Sequence, residues 1–553
     1  MTEPPVATPE QALPPPGAWS PLGVPAFRML WIAILVGNIG TWLHDVAAAW
    51  TMAELTNSPL MVAAVQSATT LPVVLLALAA GTLADIVDRR RYLIVAQLWM
   101  LFAATALALL AQLGRLDAWS LLALTFALGV GAAMAMPAQA ATTSELVPRR
   151  LLPPAVALNS ISMNIARSIG PALGGVILAQ FGAVWAFAIN AASFLGVAIA
   201  LWAWRRETTA SALPAETFGS ALRAGLRFAA HATVFRAVLV KAASFYVFAG
   251  ALPALLPIVV RHDLGAGSGT YGLLLGCVGA GAVAGALLLQ RLRAHVDRDR
   301  LVLIATVTYA GCMLAVASLS SIPLLCVAMV LNGFAWIAVL SSLQIAAQTS
   351  LPNWVRARAL SLYMIVFAAG MAIGALTWGA VAQRFDTDHA LVAAAVGALL
   401  AALATMRLRL GAAEAIDTAP SAHWPQPFVG TPIGNDRGPA LVTIEYRIEA
   451  ADREAFLALM RVLGRTRRRD GAVQWGVLED VAEPGLHLEY FVVGSWLEHL
   501  RQHDRVTGEE RRLQVEIYAL HRGATRPVIR HFVGGTPGAV LPPHDHATHG
   551  SQP

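Results

Sequence analysis

Asn38, Thr41 and Asp45 stand three and four residues apart inside an apolar run at residues 27–55, a spacing that stacks their side chains on one face of a helix. A carboxyl group at that depth costs about 2.5–3.5 kcal/mol on insertion scales and is kept where it faces a cavity or a partner. Exposed alternately to two sides, such a group loads a proton on one and releases it on the other, so Asp45 is the candidate for proton coupling. The competing reading makes Asp45 the capped, water-facing end of a shorter helix. His44 is turned about 100° round the helix and does not share the face. A second stripe, Ser160, Asn164 and Arg167, crosses another apolar run at residues 152–180. Arg167 lies well inside it and is expected to face a central cavity, pairing with Asp45 or with an anionic substrate; the alternative is a stem that snorkels to an interface. Asn38, Thr41, Asn164 and Arg167 are the candidate substrate-cavity residues. No metal and no cofactor is expected.

The elements that must position these side chains are membrane spans. The 553 residues are 57% hydrophobic and 13% charged, and a mean hydropathy of +0.61 over such a length excludes an ordinary soluble protein. Twelve apolar segments can be drawn, near residues 27–55, 60–85, 92–113, 118–140, 152–180, 184–204, 236–260, 270–291, 301–319, 322–346, 359–383 and 388–408, each long enough for a span of roughly 30 Å. The net charge of +6 comes almost wholly from arginine, with Lys241 the single lysine. Placing the N-terminus in the cytoplasm leaves Arg115, Arg261 and Arg384 outside and gathers the other loop arginines inside, as the positive-inside rule requires. That distribution reads as membrane topology rather than nucleic-acid binding. The Pro-rich residues 1–25 lack the basic start and short apolar core of a secretory leader and are expected to be disordered. Cys277, Cys312 and Cys326 all lie in apolar runs and read as packing residues.

Residues 81–93 read GTLADIVDRRRYL between two of these runs. Gly81, Asp85, Arg89 and Arg90 sit at the spacing of the loop between helices 2 and 3 of the major facilitator superfamily, which the sequence resembles here. The resemblance implies a transporter in which this loop is a conformational latch. The glycine permits close helix approach, the acid faces the positive end of a helix in the other half, and the arginines hold that acid. Ile86 stands where a basic residue is usual and Asp88 replaces the loop glycine, so the turn is expected to differ. In the fifth segment ARSIGPALGG resembles the superfamily's export motif, in which Gly170-Pro171 and the paired Gly174 and Gly175 give a smooth, kinked surface against the eighth helix; Ala166 replaces the leading glycine. In the fourth segment Thr125 stands where proton antiporters of the superfamily have arginine, which puts proton coupling in doubt. Residues 170–181 (GPALGGVILAQF) align with residues 374–385 (GALTWGAVAQRF), as two duplicated halves would.

The expected fold is an all-α membrane protein of twelve helices in two six-helix bundles, residues 26–204 and 235–410. A cytoplasmic linker with an amphipathic helix joins them at 205–234. After a second linker, 411–436, residues 437–534 show period-two and helical patterning in the order βαββαβ, a small ferredoxin-like α+β domain, and 535–553 are expected to be disordered. Ser495 with Glu498 and Thr507 with Glu510 are spaced as capping boxes. The segment resembles dimeric α+β barrel domains related to antibiotic-biosynthesis monooxygenases, and the first 409 residues resemble the secretion-effector branch that includes siderophore exporters. The resemblance implies an exporter of small amphipathic molecules (a siderophore, drug or metabolite) in the plasma membrane with both termini cytoplasmic, driven by proton antiport; the alternatives are an uncoupled facilitator or lipid flippase, or a membrane-tethered enzyme. The partners are then a small-molecule substrate, protons, the lipid bilayer and, through the tail, a second copy. Trp475, His487, His499 and His503 could line a pocket, but no nucleophile, metal or cofactor motif stands at diagnostic spacing, and a dimerising or ligand-sensing tail is expected rather than an enzyme. His499 and His503, i and i+4 on a helix, could bind a metal if they faced inward; on a helix rich in Glu and Arg they read as solvent-facing.

Overall fold

The computed structural model describes residues 17–204, 227–352, 355–410, 421, 424, 427, 429, 430, 433, 434 and 437–534. Twelve helices are long and apolar enough to cross a bilayer: α1 (Pro25–Leu55), α2 (Pro59–Ile86), α3 (Arg89–Gln112), α4 (Ala118–Leu146), α5 (Leu152–Phe181), α6 (Ala183–Ala203), α7 (Thr233–Asp263), α8 (Ser268–Arg293), α9 (Arg298–Ser318), α10 (Ile322–Thr349), α11 (Arg356–Arg384) and α12 (Thr387–Ala404). Their starts are written locally. Ser58 caps α2 by accepting from the Met61 amide, with Pro59 fixing the first turn, and Asp117 and Ser120 cap α4 reciprocally. The expected disordered N-terminus needs correction at its end. Residues 17–24 carry a 3-10 turn at Ser20–Gly23, and Leu22 and Val24 pack against a cluster containing Phe27 and Leu158, because Pro21 starts the turn and apolar side chains follow it. Residues 1–16, 535–553 and most of the expected linker amphipathic helix (205–226) lie outside the described residues.

Packing repeats between the halves with an offset of six helices. In the first half α1 lies on α5 and α6, α2 on α4, and α3 on α4 and α6; in the second α7 lies on α11 and α12, α8 on α10, and α9 on α10 and α12. This is the arrangement that two copies of one six-helix unit give. The halves meet through α2 on α11 and α5 on α8. We call the end carrying the α1–α2 turn the far end, and the opposite one, with the α2–α3 turn and the tail domain, the tail end. Among the described residues, several cross-half contacts lie toward the far end. Ser58 hydrogen-bonds Gln383 at 2.6 Å, Ser67 donates to the Ala372 carbonyl at 2.9 Å, Trp50 stacks on Tyr271 at 5.6 Å, and Arg261 approaches Glu54 at 3.9 Å. At Gly175 any side chain would overlap the Gly272 backbone, so the α5–α8 crossing exists only because both positions lack a Cβ.

The tail domain follows with β1 (Ala440–Arg447), α13 (Arg453–Asp470), β2 (Gln474–Glu479), β3 (Leu486–Val493), α14 (Trp496–Arg505), α15 (Gly508–Ala519) and β4 (Val528–Val533). The antiparallel sheet has the order β2-β3-β1-β4, which the βαββαβ connection produces. Alternate β1 residues, Ala440, Val442, Ile444 and Tyr446, are buried against Phe456, Met460 and Leu463 of α13. Ser495 caps α14 as expected. Thr507 does not cap α15 through its side chain; its hydroxyl donates to the Glu510 carboxylate at 3.1 Å instead.

Candidate functional site

The first polar stripe lies on α1. Asn38, Thr41 and Asp45 are all partly buried, and Thr41 returns its hydroxyl to the Gly37 carbonyl at 3.1 Å. Asp45 lies well within the 31-residue α1, ten residues from its end, which corrects the alternative that made it the end of a short helix. Across the interface Tyr271 of α8 lies near Asp45, and the same Tyr271 stacks on Trp50, whose indole donates to Glu54 at 2.6 Å. Asp45 therefore stands beside the aromatic contact that helps shut the far end. His44 turns the other way, buried against Phe187 of α6 at 5.3 Å.

The second stripe divides. Asn164 is exposed and donates to the Ser160 carbonyl, while Arg167 is partly buried. Arg167 lies near Tyr246 of α7, and among the described residues it forms no ion pair with Asp45. The two charges sit on separate helices at different heights, so of the two expected partners for Arg167 the aspartate is not realised. Tyr246 hydrogen-bonds Tyr363 at 3.0 Å and lies edge-on to Phe367 at 4.7 Å and Trp336 at 5.9 Å. Sequence reasoning did not find this aromatic cluster. The available signal was the recurrence of Tyr and Trp at helix centres on α7, α10 and α11, where a hydroxyl or indole N–H needs a partner.

At the expected latch, nothing lies within 4 Å of where a Cβ on Gly81 would stand, among the described residues. The side chain of Asp85 lies outside the described residues. Arg89 pairs with Glu145 of α4 at 2.6 Å, and Arg90 donates to the Leu201 and Trp202 carbonyls at the end of α6. Both arginines thus engage their own half. Asp88, the departure from the motif, is the N-cap of α3 and accepts from the Arg91 amide at 2.9 Å with φ −57°. The change of residue gives a helix cap and no unusual backbone angle. In the export motif Pro171 is buried within continuous α5, Gly170 and Gly174 receive Trp42, Leu43 and Val46 of α1, and Gly175 meets α8. The expectation that the paired glycines all face the eighth helix is corrected: consecutive residues point about 100° apart, so Gly174 and Gly175 serve two neighbours.

The tail domain reaches the linker between the halves. Arg227 lies 3.4 Å from Glu498 of α14, and the Arg469 guanidinium lies over the Phe228 ring at 5.7 Å. Burial alone would raise the Glu498 carboxyl, but Arg505, Arg227 and Arg501 outweigh it and hold the group below its ordinary range. In the domain core Arg467 pairs with Glu489 at 2.9 Å, with 4% and 0% of their side chains exposed; Tyr446 and Trp475 donate to the same carboxylate at 3.1 Å. His499 is 1% exposed, which corrects its reading as solvent-facing; His503 is half-buried. Both turn to the sheet because Trp496 and His499 occupy the face of α14 that covers Phe491 and His531.

Twelve spans in two matched halves, closed over a polar centre at one end, define a transporter of the major facilitator type. The chain belongs to the transmembrane secretion effector family of that superfamily, whose family model matches residues 16–537. It is 24% identical over 356 residues to the multidrug efflux pump Tap of Mycolicibacterium fortuitum, covering 62% of this chain and 86% of Tap. It is 26% identical over 379 residues to the enterobactin exporter EntS of Shigella flexneri, covering 68% and 90%. Among solved structures it superposes on a bacterial homologue of the human lysosomal transporter Spinster, inward-facing and unoccupied, with a TM-score of 0.52 and 15% identity over 70% of this chain and 95% of that one. That likeness concerns the fold.

Proposed function

We propose that this protein exports small amphipathic molecules across the plasma membrane by alternating access, with Asp45 carrying the proton that drives the exchange. The arginine distribution supports placing the tail end, with both termini, in the cytoplasm. The far end then faces outward, and the state described is closed on that side. The observation that carries the reading is the place of Asp45, on one half and beside the Trp50–Tyr271 contact that seals that half to the other. A carboxyl group there meets the outside only when that contact opens, so proton uptake from outside and gate movement share one set of atoms. Thr125 in place of an arginine does not oppose this, because the coupling is assigned to α1.

The substrate site in this reading lies by Arg167 and the partly exposed Trp336 and Phe367 rings that pack on buried Tyr246, where a flat apolar body stacks on the aromatics and an anionic or hydrogen-bonding head meets the guanidinium. The relatives' named cargoes, drugs and a siderophore, are compatible with that pairing. The tail is assigned a sensing or dimerising role; exposed Val528, Ile529 and Phe532 on the edge strand β4 support the second. The test is efflux by a strain lacking the gene and complemented with wild type or Asp45→Asn, against a panel of siderophores and toxic amphiphiles under an imposed pH gradient. Asp45→Asn is expected to lose gradient-driven efflux while remaining in the membrane; unchanged efflux would remove the assignment.

A further inference from the structure

We propose that His499, His503 and His531 of the tail domain form a binding site for one divalent transition-metal ion of the zinc type, with three imidazole ligands and an open fourth position. The ligating nitrogens of the three rings all lie within 4.8 Å of one another. His499 and His503 come from adjacent turns of α14. His531 comes from β4, in register through Val442 with the sheet row that α14 covers. The His499 and His503 Nε2 atoms are 3.3 Å apart with their rings near perpendicular at 87°. Two nitrogens each about 2.05 Å from a tetrahedral ion are separated by about 3.3 Å, so this pair already spans one edge of the polyhedron. Bringing His531 in requires about 1.5 Å of ring movement, within reach of a χ rotation.

The surroundings fit a metal centre in three further ways. The Gln502 Oε1 atom faces His499 Nδ1 at 3.4 Å, so an Nδ1–H has an acceptor there when the Nε2 lone pair is turned to the cluster, the arrangement metal-ligating histidines use. His499 is 1% exposed, and the His503 and His531 rings pack on it with centroids 4.9 and 4.8 Å away, so the cluster sits largely out of bulk water. Trp496 and Trp424 wall the cluster, at 5.3 Å from His499 and 5.1 Å from His503, while half-buried His503 and His531 leave a path for the ion. Arg467, the nearby cation, has its charge taken up by Glu489. A simple hydrogen-bonded imidazole pair would explain the 3.3 Å contact and would give His531 no part.

The experiment uses the full chain in detergent without a histidine tag, with His544, His546 and His549 replaced by alanine so that the chain's end does not chelate. After chelator treatment it is titrated with Co²⁺, followed by Zn²⁺ competition. One Co²⁺ per chain with the visible absorption of a four-coordinate ion, displaced by one Zn²⁺, is expected. His531→Gln should abolish that spectrum and weaken Zn²⁺ by at least about 100-fold. Gln502→Leu, which retains all three ligands, should weaken it by about 10-fold or more while the spectrum persists. His499 is buried, and its replacement could unfold the domain; the other two variants keep the outcome readable by checking their thermal unfolding alongside. Absence of the Co²⁺ spectrum, or binding that His531→Gln leaves unchanged, would overturn the site.

Discussion

Asp45 and Arg167 are the two charges that the bilayer makes expensive, and the protein treats them differently. Asp45 sits at the seal between halves, whereas Arg167 faces a tyrosine of the opposite half whose hydroxyl is already engaged with Tyr363. If Arg167 holds the head of the substrate, Arg167→Ala should raise the KM for anionic cargo by tenfold or more and leave neutral amphiphiles nearly unaffected, measured as concentration-dependent efflux; an equal loss for both would make it structural. The tail offers a stability test. Glu489→Gln leaves Arg467 buried without its counter-charge and should cost about 3–5 kcal/mol, read as a lower tail unfolding midpoint. Both membrane charges were legible from residue type and depth, because lipid penalises them wherever they lie. Their partners were not, since Tyr271 and Tyr246 lie far along the chain and their proximity is decided by how the halves dock.

The helices were readable as elements because a span must satisfy its backbone internally and must be apolar for about 20 residues. What the sequence pattern does not contain is the direction each face takes. Gly170, Gly174 and Gly175 read as one surface and serve two helices, and His499 lies inward because it packs on the Phe491 and His531 rings of the sheet. Two predictions belong here. Gly175→Leu cannot pass the Gly272 backbone, so the far end should fail to close and efflux should fall to background with normal membrane insertion. The contact between the linker and α14 depends on ionised Glu498. Its native carboxyl is held below the ordinary value of about 4.3, so its contribution is present above that value and is lost as pH falls through the native one. Exchange protection at residues 227–231, taken relative to the intrinsic rate at each pH, should fall in wild type as pH drops through that native value, and Glu498→Gln should show the weaker protection already at pH 7; protection independent of pH and of the substitution would contradict the docking.

At the scale of the whole molecule, the same helix pairings recur in both halves, and among the described residues hydrogen bonds join the halves toward the far end. Two such units pivoting about a shared centre can close either end in turn, which is what export requires. The tail is outside that machinery, so removing residues 411–553 should leave efflux at least in part. The central claim is that the far end must open during each cycle. Ala179 of α5 lies 3.7 Å from where a Cβ on Gly269 of α8 would stand, within the separation a disulfide bridges. With Cys277, Cys312 and Cys326 replaced by alanine, Ala179→Cys with Gly269→Cys is expected to cross-link in the resting protein, stop efflux, and recover it on addition of a reductant. Full efflux through the cross-linked protein would contradict the account.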